Sequence, residues 1–548
     1  MASIPIEQTQ AAYDFRLLIK TLLQAGLTSA PEQEIIYAEK KRFSYRELGQ
    51  RIGRLASGLA GLGVRPGDTV GVMDWDSHRY LECFFAVPMM GAVLRHINPR
   101  LSPEQILYTI NHAQDDIILV NSDFLPLIRE IWNRVEPGKK IVLLADTAQE
   151  PATHLPIEAE YEELVAQSGP NYAFPDLDEN TRATTFYTTG TTGLPKGVYY
   201  SHRQLVLHTM AVRAALSDAP HGRFTKDDVY MPLTPMFHVH AWGVPYLATM
   251  IGVKQVYPGR YAPDHLLDLH SRERVSFSHC VPTILQMALA AAKTKSQSLA
   301  GWKVVIGGAA LPHSLAKQAL EQGIDIFAGY GMSETCPILT LSHLKPEMLE
   351  WDLDRQAEVR SLAGRPIDFV QLRIVDPEMN EVAHDGVSQG EIVVRAPWLT
   401  QGYLKDPANS AKLWHGGWLH TGDVGVISGD GYLKITDRIK DVIKTGGEWV
   451  SSLELEDLIL RNPSVIEAAV IGVPDPKWTE RPLAVVVTKQ AEAVTEADIK
   501  SLLTDYAERG IISKYGVPDR IVFADSLPKT SVGKLDKKAM RELYGKKG

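Results

Sequence analysis

The clearest periodic stretch of the chain runs from Tyr45 to Leu62, where Leu48, Ile52, Leu55, Leu59 and Leu62 recur at steps of four, three, four and three. That spacing puts all five on one face of a helix. Gly63 and Pro66-Gly67 stop it, and Asp68–Met73 reads as the strand that follows. Ser77–Gly91 predicts a second helix leading into a short strand at Ala92–Arg95. Further strands are predicted at Ile117–Val120, Lys140–Leu144, Ala183–Tyr187, Val198–Tyr200, Lys303–Ile306 and Ile324–Phe327. Strands alternating with helices predict layered α/β architecture with largely parallel sheets.

The texture changes after about Gly364. Val370–Val375, Gly390–Arg395 and Gly431–Thr436 are Val- and Ile-rich and separated by turns, which predicts a β-rich subdomain. Asp437-Arg-Ile-Lys-Asp-Val-Ile-Lys444 then opens a unit of mixed pattern that runs to the C-terminus. The expected fold class is therefore α/β: a large N-terminal domain of layered sheets plus the β-rich subdomain over residues 1–437, and a small C-terminal α+β domain over 438–548. No fixed repeat period or low-complexity tract interrupts this order.

Composition narrows the class of partner. At 548 residues the chain is too long for one core. Its net charge of −9 disfavours nucleic acid as a main partner. Cys83, Cys280 and Cys336 have no CxxC spacing, which excludes a disulfide scaffold or a thiolate zinc site and suits a reducing compartment. The first ten residues lack a basic segment followed by an apolar one, and no apolar run approaches the length of an integral membrane segment. The expectation is a cytoplasmic enzyme or binding protein.

The candidate chemistry begins at Tyr187-Thr-Thr-Gly-Thr-Thr-Gly-Leu-Pro-Lys-Gly197. Thr188, Thr189, Gly190, Thr191, Thr192 and Gly193 offer hydroxyls and closely approachable backbone N–H groups, and Lys196 adds a point charge, so the loop suits polyphosphate. The common Gly-x4-Gly-Lys-Ser/Thr spacing is not met, and a Thr/Gly-rich surface turn explains the run equally well at this point. Gly307-Gly308-Ala309 and Gly329-Tyr330-Gly331-Met-Ser333-Glu334 each follow a predicted strand, where α/β sheets form their ligand crevice. Glu334 beside a polyphosphate loop is a Mg²⁺ ligand candidate, against the plain alternative of an exposed first-turn glutamate. Asp423 reads as an acidic residue just after a turn. Arg438, Lys440 and Lys444 read as a solvated basic face, and Lys534, after a glycine, as a solvent-facing tip.

Taken together and in this order, these motifs resemble the adenylate-forming superfamily of acyl-CoA synthetases, luciferases and adenylation domains. The resemblance covers Phe43-Ser-Tyr-Arg-Glu47 to Gly533-Lys534, nearly the whole chain. Pro235-Met-Phe-His-Val-His-Ala-Trp-Gly243, Asn98-Pro-Arg-Leu-Ser102 and Lys444-Thr-Gly-Gly-Glu-Trp-Val-Ser-Ser452 are most similar to bacterial medium- and long-chain fatty-acid–CoA ligases.

The resemblance implies a small-molecule carboxylic acid, ATP and CoA as substrates, Mg²⁺ as cofactor, a mobile C-terminal domain, and a homodimer. It further implies that Thr189 and Glu334 hold the metal and that Lys196 and Lys534 are catalytic. The nucleotide would contact Thr188–Gly193, Lys196, Gly307, Gly308, Ala309, Gly329, Tyr330, Gly331, Ser333, Asp423, Arg438 and Lys534. The acyl group would meet His238, Val239, Trp242 and Ala328. Lys440 would be the hinge, and Lys444, Gly446, Gly447 and Trp449 would face CoA. The alternatives are a CoA ligase for a short or thio-substituted acid such as 3-(methylthio)propionate, an adenylation enzyme loading a carrier protein, and a non-catalytic nucleotide-binding regulator.

Overall fold

The computed structural model describes residues 6–146, 154–188, 194–217, 222–445, 448–489 (448 and 449 by backbone alone), 494–530 and 534–545. Among these residues, two large sheets, one five-stranded β-rich sheet and one small C-terminal sheet carry the fold.

The predicted helix at 45–62 is present as Tyr45–Gly61. Ser44 accepts from the Glu47 amide while Glu47 reaches back to the Ser44 amide, and the turn ends at Gly63, φ 105°. Leu48, Ile52, Leu55 and Leu59 are completely buried. Fully burying each such side chain contributes about 1.5–3 kcal/mol before entropy is counted. Helix His78–Met89 is buried along its whole length because it lies between layers. It is shorter than the predicted 77–91, since Met90 closes the last turn and Gly91 takes φ 84°.

The first sheet runs Ile157–Glu160, Lys140–Leu144, Ile117–Asn121, Thr69–Met73, Val93–His96, Arg182–Tyr187, Gly197–Ser201, with only the last strand antiparallel. That last pair is the hairpin holding the threonine/glycine loop. Tyr187 faces Gly197, and the Thr188 amide donates to the Lys196 carbonyl at 2.9 Å. The nine-stranded sheet is parallel over Asp325–Gly331, Lys303–Ile306, Phe277–Cys280, Val229–Pro232, Lys254–Tyr257 and Glu34–Tyr37. Strands covered on both faces are mostly apolar, as parallel sheets favour, with buried exceptions at Arg95, Gln255 and His279.

In the β-rich sheet, the third predicted strand is displaced from 431–436 to Leu433–Arg438. Gly431, at φ 83°, belongs to the preceding turn, where its amide donates to the Ser428 carbonyl. The small C-terminal sheet joins Glu448–Val450, Ile443–Thr445, Thr479–Thr488 and Val465–Asp475, with Arg520–Phe523 along Thr479–Thr488. No helix among the described residues is long and apolar enough to cross a membrane.

Candidate active site

The carboxyl ends of the parallel strands Phe277–Cys280, Lys303–Ile306 and Asp325–Gly331 converge on one place. Val281 and Gly307-Gly308 follow the first two, and Gly329-Tyr330-Gly331 forms the end of the third. A cavity of about 70 Å³ opens there, lined by His238, Trp242, Val281, Gly308, Arg100 and Lys534 among others. Lys534 comes from the small domain. The Thr530 amide donates to the Lys534 carbonyl at 2.7 Å, the Lys534 amide donates to Thr530 Oγ1 at 3.2 Å, and the Lys534 Cε lies 3.5 Å from where a Cβ on Gly308 would be. Burial pushes its ammonium down to about 8; Arg438 adds to the fall, and Asp423 and Glu334 oppose it.

Trp242 is placed by unusual backbone. Val239, His240, Ala241, Trp242 and Gly243 all have φ between 47° and 74°, one turn wound in the left-handed sense. Such a conformation costs roughly 1–2 kcal/mol per non-glycine residue. His240 anchors the turn through Thr184 Oγ1 at 2.8 Å. The turn lays the Trp242 ring beside His279, with centroids 5.0 Å apart, and against Gly307, where a Cβ would stand 2.9 Å from Trp242 Cη2. His238, in the same segment, is held neutral by burial, its pKa pushed down to about 3. Nothing in His-Val-His-Ala-Trp-Gly announces this turn except its final glycine.

Glu334 is buried, not the exposed glutamate of the plain alternative. Tyr403 donates to its Oε1 at 2.7 Å, and Lys196 Nζ sits over the Tyr403 ring at 4.7 Å. Burial raises the Glu334 pKa; the Tyr403 bond and the charges of Lys196 and Lys534 pull the other way. Tyr200 donates to the Ser333 carbonyl at 2.6 Å and fixes the turn that presents Glu334. Neither Tyr403 nor Tyr200 was singled out from sequence. Both act across strand and loop pairings that no local pattern reveals, such as the bridge between Val198 and Tyr403.

Asp423 is not after a turn: it lies inside strand Trp418–Ile427, directly across from Arg438. This register brings Arg438 Nε to 3.4 Å from Asp423 Oδ1, while Tyr330 donates its phenol to Oδ2 at 2.8 Å. Burial raises the Asp423 pKa, and Arg438 and Tyr330 oppose the rise.

The remaining residues separate. Val239 is buried without lining the cavity, and Ala328 is buried in a second core with Cys280 and Ile306, the residue it pairs with across the strands. Ala309 is exposed. Lys440 sits exposed in the turn where the Asp441 and Val442 amides both donate to the Arg438 carbonyl. Lys444 is exposed, its amide bonded to Glu480 Oε2 at 2.9 Å. Thr189, Gly190, Thr191, Thr192, Gly193, Gly446, Gly447 and the Trp449 side chain lie outside the described residues.

A larger cleft, about 380 Å³, lies at the amino ends of the same strands. There Asp325 takes both Arg223 and Arg360, a structural staple on the far side of the sheet from Lys534.

A model of the AMP-binding enzyme family matches residues 23–404, and one of the AMP-binding enzyme C-terminal domain matches 454–534. A long-chain-fatty-acid–CoA ligase of Thermus thermophilus is 40% identical over 92% of this chain and 91% of its own length. A 3-methylmercaptopropionyl-CoA ligase of Ruegeria lacuscaerulensis is also 40% identical, over 96% and 97%. The crystal structure of ATP-bound MatB from Rhodopseudomonas palustris superposes with a TM-score of 0.83 at 26% identity, covering 97% of this chain and 99% of that one.

Proposed function

We infer the roles below from one premise: the chain belongs to the AMP-binding enzyme family, has the adenylate-forming fold and is an AMP-forming acyl-CoA ligase. A carboxylate oxygen attacks the α-phosphorus of ATP, the bond to the β-phosphate breaks, and pyrophosphate leaves with acyl-AMP formed. The CoA thiol then attacks the acyl carbon, loses its proton, and displaces AMP.

In the first step two anions must approach each other. Lys534 meets that need as an ammonium at the carboxyl ends of the strands, holding the carboxylate and the α-phosphate together. The Thr188–Lys196 loop takes the β- and γ-phosphates. Asp423, oriented by Tyr330 and Arg438, takes the ribose hydroxyls. Glu334 and Thr189 would hold Mg²⁺, to which a buried carboxylate with one oxygen already bonded presents a hard oxygen donor; the ion supplies neutralisation of the leaving charge. We place the division between domains at 437/438, with Lys440 as hinge and Lys444, Gly446, Gly447 and Trp449 facing CoA when the small domain turns. A cytoplasmic homodimer is part of this reading.

The observation that carries it is Lys534, reaching from the small domain into the cavity beside Gly308 and Trp242. We propose a medium- or long-chain fatty acid as the substrate. A second reading, a short or thio-substituted acid, is favoured by Trp242, whose packing on His279 and Gly307 leaves about 70 Å³ at Lys534. Thioester and AMP formation with ATP, Mg²⁺ and CoA across acids of two to eighteen carbons tests both. A long-chain optimum supports the first and a short optimum the second. Pyrophosphate release without thioester would overturn CoA as the acceptor in favour of a carrier protein.

A further inference from the structure

Lys534 reaches the cavity only while the small domain stays seated on the large one, so the contacts that seat it bear on catalysis. Most polar contacts between the domains lie close to the junction itself. The Ser452 amide donates to Asp437 Oδ2, and the Ser451 hydroxyl donates to the Thr436 carbonyl. Both join residues within 15 positions of each other in the chain.

One contact is different. Helix His313–Glu321 of the large domain starts after Pro312, whose ring offers no side-chain acceptor, so the helix has no cap of its own. Asp457, on helix Ser452–Leu460 of the small domain, supplies one. Its Oδ1 accepts from the His313 amide at 3.1 Å, between residues 144 apart in the chain. Arg461, one turn on, binds the other oxygen at 3.2 Å and aims the carboxylate. A carboxylate at a helix N-terminus also meets the positive end of the helix dipole. The neighbouring pair Lys434–Glu454 spans the same boundary but is largely solvated, and such pairs contribute little.

We propose that Asp457 is a positioning residue for adenylation: it caps helix His313–Glu321 from the other domain and thereby holds Lys534 in the cavity. This rests on the role of Lys534 given above. Asp457 touches no reacting atom; losing its cap lowers the fraction of molecules with Lys534 in place.

Two variants remove the bond from opposite sides. Asp457→Ala removes the acceptor. His313→Pro removes the donor at the first helical position, where proline is well accepted, and Pro312 already has the extended backbone (φ −63°, ψ 138°) that a following proline demands. His313→Ala keeps the amide and serves as control.

Acid-dependent ATP–pyrophosphate exchange should fall about five- to tenfold in both variants, the size expected for a lost cap. Thioester formation from supplied acyl-AMP should be unchanged, His313→Ala should exchange normally, and Asp457→Asn should recover most of the loss. The double variant Asp457→Ala/His313→Pro should be no worse than either single one. Equal loss in both half-reactions, or normal exchange in folded Asp457→Ala, overturns the proposal. Lys534→Ala is run alongside: if it exchanges normally, the assignment of Lys534 itself fails, whereas loss there with normal exchange in Asp457→Ala sinks the cap alone.

Discussion

Tyr403 donates its phenol to Glu334 Oε1 across 2.7 Å, although the two residues are 69 apart in the chain. The bond gives a buried carboxylate one fixed donor on Oε1. It also places the Tyr403 ring under Lys196, so one phenol touches both a buried carboxylate and a lysine ammonium.

Tyr403→Phe should therefore raise the Glu334 pKa further, since a donor to the charged form is lost. Adenylation should drop by about a factor of three to ten, in line with one hydrogen bond to a charged group. The loss should be greater at low pH than at high pH and shrink as Mg²⁺ is raised. Pyrophosphate exchange against pH and Mg²⁺ concentration measures it.

The lysine gives a pH limit of opposite sense. Its pKa of about 8 lies below the ordinary 10.5, so the required ammonium is lost as pH rises through about 8 in the free enzyme. kcat/KM for ATP should fall there. Lys534→Arg should be slower but lack that limb, because guanidinium stays protonated. For stability the sign is the reverse: between 8 and 10.5 the unfolded chain binds the extra proton, so this group's contribution rises with pH. Lys534→Ala should lose on the order of 3 kcal/mol or more of transition-state stabilisation in adenylation, with the CoA step from supplied acyl-AMP retained.

Gly307→Ala would force its new Cβ to within 2.9 Å of Trp242 Cη2. The ring must shift, so Gly307→Ala and Trp242→Ala should each alter the ranking of acids by chain length. Kinetics across the acid panel check this; an unchanged ranking in both would remove Trp242 from the acyl site.

Asp115→Ala should damage the scaffold without touching the site. Arg95 and Asp115 form a pair buried at 1% and 0% exposure in the sheet that carries the Thr188 hairpin. Removing one partner strands a buried charge, at a cost of about 3–5 kcal/mol. Urea unfolding should show the loss, while activity of the folded fraction stays near that of the parent.

Much of the layout was legible in the chain. Strands at 140–144, 303–306 and 390–395 occur where apolar runs end in glycine or a turn, because covered strands must be apolar and their ends must turn. Helix Tyr45–Gly61 carried its apolar stripe and its stop in plain view. Glycines 307 and 308 and the Gly329-Tyr-Gly331 run stand at the crevice for the same reason they were legible: close approach of backbone needs residues without a Cβ.

What local pattern could not carry was pairing between distant segments. By itself the sequence determined the predicted run of strands and helices and the family, since these depend on periodicity and on short motifs. Only the tertiary structure decided that Asp423 sits within a strand opposite Arg438, that Tyr403 serves Glu334, that Trp242 rides on a left-handed turn, and that Asp457 caps a helix of the other domain. Each of those is a contact between segments whose meeting is fixed by sheet register and domain seating, and neither quantity is written in the spacing of neighbouring residues.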